Sequence, residues 1–361
     1  TAEAQIAIAT AEKEPADYCF PNALEAIEAL QCVVDFAGKA PKALYYLGNL
    51  WYDKRRYPTA IAAWERSSRE DETFPTVWRN LSLAYFNKMN RPDEAVALLE
   101  KAFRLDHTDA RVLMELDQLY KRLNRPHIER LCFLEQHIDI VMTRDDLYLE
   151  YVTLLNQTGQ YREAIRRIDQ RKFHPWEGGE GKVPAQYQLA RLELAKELIN
   201  RKKYDDALAL IDECYIYPTH LGEGKLPGAQ ENDFNYYKAY ILQQQGRPEE
   251  AHSLFVKACS GNSQPAAAMY YNDQKPDKIF YQGLAYRKLG EEEKARSRFN
   301  QLITYGEEHL FDRFKMDYFA VSLPDLLIWE DDMDKKNRIH CNYLMALGHL
   351  GLGNRTKAEH L

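Results

Sequence analysis

Leu44-Tyr45-Tyr46-Leu47-Gly48-Asn49-Leu50-Trp51-Tyr52, followed by Tyr57-Pro58-Thr59-Ala60-Ile61-Ala62-Ala63-Trp64, decides how this chain folds. Leu44, Leu47 and Trp51 recur at helical spacing, so they share one buried face. Gly48 and Ala60 are small where two helices meet. Small residues let an antiparallel pair approach closely, and the large ones fill the groove between stacked pairs.

The pattern returns with drift along the whole chain. Trp78, Leu81, Tyr85, Ala95 and Ala102 form the next unit. Leu113, Leu116, Tyr120 and Phe133 form a third, with Glu129 in the small residue's place. Tyr148, Leu155, Ala164 and Ile168 follow, then Leu194, Ala195, Leu198, Ala207 and Ile211. Ala239, Leu242, Ala251 and Phe255 precede Gly283, Tyr286, Ala295 and Phe299; Ala346 and Ala358 mark a last unit. The turns Thr158-Gly159-Gln160, Gln245-Gly246-Arg247 and Leu289-Gly290-Glu291 place glycine just past a helix. In residue types and spacing these units resemble the tetratricopeptide repeat. The resemblance implies an all-α, right-handed α-solenoid of eight or nine helix pairs.

Spacing between the anchor alanines divides the chain. Ala60 and Ala95 are 35 residues apart, close to the repeat's length of about 34. Ala164, Ala207, Ala251 and Ala295 follow at 43, 44 and 44. Residues 1–171 therefore read as near-standard repeats, and 172–361 as repeats carrying long inserted loops, within one continuous solenoid. The inserts are Phe173–Pro184, Tyr217–Asp233, Gly261–Asp277 and roughly Tyr305–Lys336. Loops of one kind in a stacked array emerge along one edge, so these four are expected to be neighbours.

Two inserts share a phrase, Gly179-Glu180-Gly181-Lys182 and Gly222-Glu223-Gly224-Lys225. His174, Trp176, Glu177, Glu180 and Lys182 come from the first insert, and His220, Glu223 and Lys225 from the second. Tyr270, Tyr271, Asn272 and Asp273 come from the third, and Asp325 from the fourth, which continues into Trp329-Glu330-Asp331-Asp332. Aromatic faces mixed with carboxylates, amides and imidazoles suit a sugar or a peptide. The plainer reading is that glycine and proline only make turns, Trp176 covers core, and the charges are solvated. The acidic run Glu330–Asp334 reads as a solvated turn.

Specific chemistries find little support. The two Gly-Lys pairs lack both the following Ser/Thr and the earlier glycine of a phosphate loop. His174, Glu177, His220 and Glu223 have no spacing that fixes a metal, and no metal or cofactor is expected. Glu177, Glu180, Glu223 and Asp325 are available carboxylates for glycoside hydrolysis, but acids are abundant throughout. No Ser-His-Asp or Cys-His arrangement stands at a recognisable spacing, so no catalytic residue is assigned.

The first repeats resemble chaperone-binding tetratricopeptide domains, which clamp a partner's terminal carboxylate with Lys, Asn and Arg. Asn49 and Asn80 fill the Asn places, Tyr45 stands at the first Lys place and Arg111 at the second. Glu115 replaces the Arg and would repel a carboxylate. The four residues Tyr45, Asn49, Asn80 and Arg111 are thus expected to line a groove for other backbone groups of a partner.

Lys+Arg is 48 against Asp+Glu 55, a net charge of −7. That balance argues against a nucleic-acid partner, which needs clustered positive charge. No run is long enough to insert into a membrane. Six scattered cysteines form no CxxC and read as core residues in a reducing, cytoplasmic setting. The absent initial Met and the end at Leu361 read as a fragment of a longer protein.

Tyr18-Cys19-Phe20-Pro21, Phe173–Lys182, Leu221–Lys225, Tyr270–Asp273 and Asp317–Asp325 also resemble the C-terminal repeat half of a family of large bacterial proteins. In those proteins an uncharacterised β-rich domain precedes the repeats. The resemblance implies a carbohydrate-related setting and supplies no catalytic residues. Two functions remain open: a non-catalytic protein-binding scaffold, which could dock its own N-terminal domain, and a carbohydrate-active or carbohydrate-binding protein whose loop edge completes a sugar site. A pocket walled by Trp176, Glu180, Glu223 and Tyr271 would favour the second.

Overall fold

The computed structural model describes residues 2–16, 21–268, 273–313 and 328–361. Among them the only regular structure is helical: α1 Ala2–Ala11, α2 Glu25–Phe36, α3 Pro41–Asp53, α4 Tyr57–Glu70, α5 Pro75–Asn87, α6 Pro92–Leu105, α7 Ala110–Arg122, α8 His127–Gln136, α9 Ile138–Val141, α10 Asp145–Gln157, α11 Tyr161–Asp169, α12 Lys182–Asn200, α13 Tyr204–Cys214, α14 Asn232–Gln244, α15 Pro248–Ala258, α16 Pro276–Lys288, α17 Glu292–His309, α18 Met333–Gly351 and α19 Arg355–His360. The fold is all-α, an α-solenoid of tetratricopeptide type. The chain forms two compact units, Thr1–Tyr148 with Leu327–Glu330, and Leu149–Leu326 with Asp331–Leu361. We call them unit 1 and unit 2.

Local chemistry sets the helix boundaries. Proline opens α3, α4, α5, α6, α15 and α16, where its fixed φ fits and its missing N–H costs nothing. Gly159, Gly246, Gly290 and Gly353 turn the chain between paired helices of unit 2, each with positive φ. Unit 1 makes the same turn with Arg55, Asn90 and Asn124, at φ 58°, 52° and 54°. The left-handed conformation costs a non-glycine residue about 1–2 kcal/mol, so packing on both sides must hold these turns.

In unit 1 helices pack on their sequence neighbours from α2 to α8. A Cβ added at Gly48 would fall inside the Trp64 indole, so the small-against-large pairing expected there is the contact that joins α3 and α4. Ser82 donates to the Ala95 carbonyl at 2.6 Å across α5 and α6. The third repeat departs from the pattern: Glu129 is exposed, and Arg130 is buried beside Asp117 with contacts of 3.0 and 2.6 Å.

In unit 2 the helices from α11 to α19 pack on their sequence neighbours, and α14, α16 and α18 also pack on one another in turn. Phe299 of α17 fills the space left by Gly283 and Gly351. The fourth insert starts later than the alanine spacing predicts. Helix α17 runs on through Tyr305 to His309 because Gly306 lets it lie against Met345 and Cys341 of α18.

Amide side chains close the ends of the second helices. Gln188 donates to the Cys214 carbonyl at the end of α13, and Asn232 to those of Ala258 and Ser260 after α15. Gln282 donates to Ser260 and Asn262, and Asn337 to His309 and Asp312 after α17. The final carbonyls of a helix lack intrahelical partners, and these amides supply them.

Candidate functional site

The twin Gly-Glu-Gly-Lys phrases of unit 2 meet each other. Gly181 sits at φ 71° before α12, and its N–H donates to Glu223 Oε2 at 2.7 Å. The Phe173 N–H donates to the His220 carbonyl at 2.8 Å. Gly222 has φ 76°, and a Cβ there would lie 2.8 Å from the Phe173 carbonyl oxygen. Glycine is thus required at Gly222 both for its dihedral and for the approach of the first loop. The third loop joins the second through one amide: Gln230 Nε2 donates to the Asp273 carbonyl at 3.1 Å, and the Lys275 N–H returns to Gln230 Oε1 at 3.1 Å. Three consecutive inserts are therefore neighbours.

Trp176 lies over Gly179, where a Cβ would strike its ring. Glu180 accepts from the Gly178 N–H at 3.3 Å, closing the same turn. Burial pushes the Glu223 carboxyl above its usual range, and the Glu180 charge adds to this while the Gly181 N–H opposes it. Lys225 pairs with Glu231 and donates to the Tyr215 carbonyl at 3.2 Å. His174, Glu177 and Lys182 are exposed. His220 is half-buried, its Nε2 without a hydrogen bond, against the Tyr187 ring and 3.9 Å from Asp169. Beneath it Arg191 bridges Asp169 and Glu213 and lies on the Tyr187 ring. Asp273 enters through its backbone carbonyl in the contact above. Tyr270, Tyr271, Asn272 and Asp325 lie outside the described residues.

A cleft that the sequence pattern does not announce opens beside these loops. Its volume is about 740 Å³, and Tyr215, Gln230, Asn232, Asn235, Asn262 and Gln274 are among its lining residues. Five amides thus line it, together with the charged Glu231, Lys238 and Lys257. Gln274 is buried, yet its Nε2 has no hydrogen-bond partner. Asn235 accepts from the Tyr215 hydroxyl at 3.0 Å. A second open cleft, of about 670 Å³, is bordered by Gln264, Arg296, Asn300 and Tyr305. Neither cleft is lined by Trp176, Glu180 or Glu223. Among the described residues no cluster of three His, Cys, Asp or Glu side chains is placed to hold a metal, and no helix is long and apolar enough to cross a membrane.

In unit 1, Tyr45, Asn49 and Asn80 are buried. Asn49 Oδ1 accepts from Trp64 Nε1 at 3.1 Å and from Asn80 Nδ2 at 2.8 Å, and Asn80 accepts from Arg79. Arg79 grips Glu115 with contacts of 2.7 and 2.6 Å, and Arg111 adds a third at 3.0 Å. Two guanidinium groups therefore offset the Glu115 charge, which the sequence reading left uncompensated. The Glu115 carbonyl has a further partner. Trp329 is fully buried, donates its indole N–H to that oxygen at 3.0 Å and sets its ring edge-on to Phe86. Asn87 donates to the Ile328 carbonyl at 2.8 Å and accepts from the Glu330 N–H at 2.9 Å. Lys88 pairs with the Glu330 carboxylate. The acidic run is a solvated turn only in part: Glu330 and Asp332 are exposed, but Asp331 is largely covered and pairs with Lys336, and Asp332 caps α18 through the Lys335 N–H.

This stacking of helix pairs defines a helical-repeat protein. Tetratricopeptide-repeat family models match residues 75–109 and 279–305. The chain carries tetratricopeptide repeats. Among solved structures it is similar to the C-terminal part of a TPR repeat-containing protein from Cytophaga hutchinsonii, at 14% identity and TM-score 0.44, over 69% of this chain and 94% of that one. It is similar also to YrrB, described as a TPR protein with an unusual peptide-binding site, at 15% identity and TM-score 0.39, over 52% of this chain and 91% of that one. A third is a tetratricopeptide repeat protein from Parabacteroides merdae, at 14% identity and TM-score 0.33, over 72% and 90%.

Proposed function

We propose that the chain is a non-catalytic scaffold that binds a protein or peptide partner, and that the amide-lined cleft of unit 2 is its binding face. The observation that carries this reading is Gln274: a buried amide donor, unpaired, in the wall of an open cleft. Leaving such a donor unmade costs about 1–3 kcal/mol, which a partner's carbonyl would recover. Amides donate and accept without charge, so they match peptide groups. Of the other expected site residues, His174, Glu177 and Lys182 present polar groups beside the cleft-forming loops and Arg111 stays half-exposed over unit 1, whereas Tyr45, Asn49 and Asn80 are buried and line no open groove. The resemblance to repeat halves of large bacterial proteins makes the protein's own N-terminal β-rich domain our first candidate partner. Free Cys32, Cys132, Cys214, Cys259 and Cys341 suit a reducing cytoplasm.

Selection of displayed peptides on the intact chain tests the cleft. Peptides enriched on wild type are expected to lose about tenfold or more in affinity for Gln274→Leu, while that variant melts no lower than wild type because an unsatisfied donor has gone. Equal binding to the variant, or no enrichment, would rule the cleft out. A rise in melting temperature across a glycan panel would instead return the sugar reading.

A further inference from the structure

Ile328-Trp329-Glu330 sits on unit 1 as a bound peptide would. Its anchor is an aromatic side chain in a closed slot, with the indole N–H satisfied by the Glu115 carbonyl. Its backbone is held at both sides of that anchor by one side chain, the Asn87 amide. Its acidic end is met by Lys88, and Arg122 approaches the Glu330 carbonyl at 3.4 Å. Phe86, Asn87 and Lys88 are consecutive at the end of α5, so one helix terminus carries the aromatic wall, the backbone clamp and the charge. The triplet is short and non-helical and lies more than 200 residues from its partners.

Each contact reads a property that a separate chain can present. The amide clamp reads any peptide backbone, the slot reads an indole, and Lys88 reads an acid. Buried tryptophan anchors of this kind dominate the energetics of peptide and protein recognition. We propose that this seat is a peptide-recognition site for partner segments carrying a Trp–acidic pair, and that Ile328-Trp329-Glu330 is its resident, exchangeable occupant. The proposal deepens the partner-binding reading by naming a partner chemistry. It stands on unit 1 alone, so its failure leaves the Gln274 test of unit 2 untouched.

The probe is a labelled peptide of residues 327–332, Leu-Ile-Trp-Glu-Asp-Asp, with an otherwise identical peptide bearing Ala for Trp as control. Anisotropy is followed against the full chain and its variants. Trp329→Ala vacates the slot and is expected to bind the Trp peptide at least about tenfold more tightly than wild type does. Adding Asn87→Ala is expected to abolish that gain, and the Ala peptide should bind none of them. A folded Trp329→Ala chain that binds the Trp peptide no better than wild type does would overturn the proposal. Should Trp329→Ala not fold, Glu330→Lys sets a lysine against Lys88 and loosens the triplet without touching the slot; the same gain is expected, and its absence counts the same way. A wild-type dimer in sedimentation that the Trp peptide dissociates would also overturn it, by making a second copy the occupant.

Discussion

Glu223 shows how a loop phrase becomes structure. In the sequence it is half of a repeated motif; in the fold it is the acceptor that ties one copy to the other through the Gly181 N–H. Burial raises its pKa above the ordinary 4.5, and the neighbouring Glu180 charge raises it further. The native state therefore binds a proton more readily than the unfolded chain does. The contribution to stability is fullest below the ordinary carboxylate value and is lost as pH rises through the raised one. Glu223→Gln keeps an oxygen for the Gly181 N–H and removes the charge. In urea melts between about pH 4 and about pH 7, wild type should lose stability relative to the variant as pH increases. A difference that stays flat, or widens in the opposite sense, would show that the carboxylate is not held in a desolvated site. The motif was legible as a motif. Its partner was not, because nothing in Gly-Glu-Gly-Lys says that its acceptor serves a glycine N–H 42 residues earlier.

The helix pair is the level at which the sequence was most readable. Apolar spacing and small residues at Gly48 and Ala60 act within a few turns, and both are local signals. Gly48 carries a measurable consequence. A methyl group there meets the Trp64 ring, whose indole N–H is committed to the Tyr45 carbonyl and Asn49. Gly48→Ala must push the indole off those acceptors, so the overpacking cost of about 1–3 kcal/mol should outweigh alanine's helix preference of about 1 kcal/mol. Chemical denaturation should show a loss of unit 1 stability, whereas a gain would mean that α3 and α4 can separate without penalty. The same local logic misplaced the third repeat. A spacing argument expects a small residue at Glu129, but the buried position is Arg130, made tolerable by its two contacts to Asp117. The amides that close α13, α15 and α17 were also missed. Their acceptors lie 22 to 28 residues away in most cases, beyond any helical period.

Over the whole molecule, what the sequence left unread are contacts made across long separations. Trp329 reads as the edge of an acidic turn because its slot is built by α5 and α7, over 200 residues earlier. The cysteines read as core residues, and that reading holds only in part. Cys214 and Cys341 are buried, Cys259 is half-buried, and Cys32 and Cys132 are exposed. The thiolate is the reactive form, and burial pushes the Cys214 and Cys259 thiols up to about 12 and raises that of Cys341. Pulse alkylation at about pH 8, read by peptide mapping, should label Cys32 and Cys132 in native buffer and leave Cys214 and Cys341 unmodified. With increasing urea, those two thiols of unit 2 should become reactive together as their helices open, since Cys214 lies in the core shared by α12, α13 and α14, and Cys341 against Gly306 of α17. Labelling of Cys214 as fast as Cys132 without denaturant would contradict that core. So would reactivity of Cys341 that precedes any loss of helix by circular dichroism, because its thiol is buried in the folded chain.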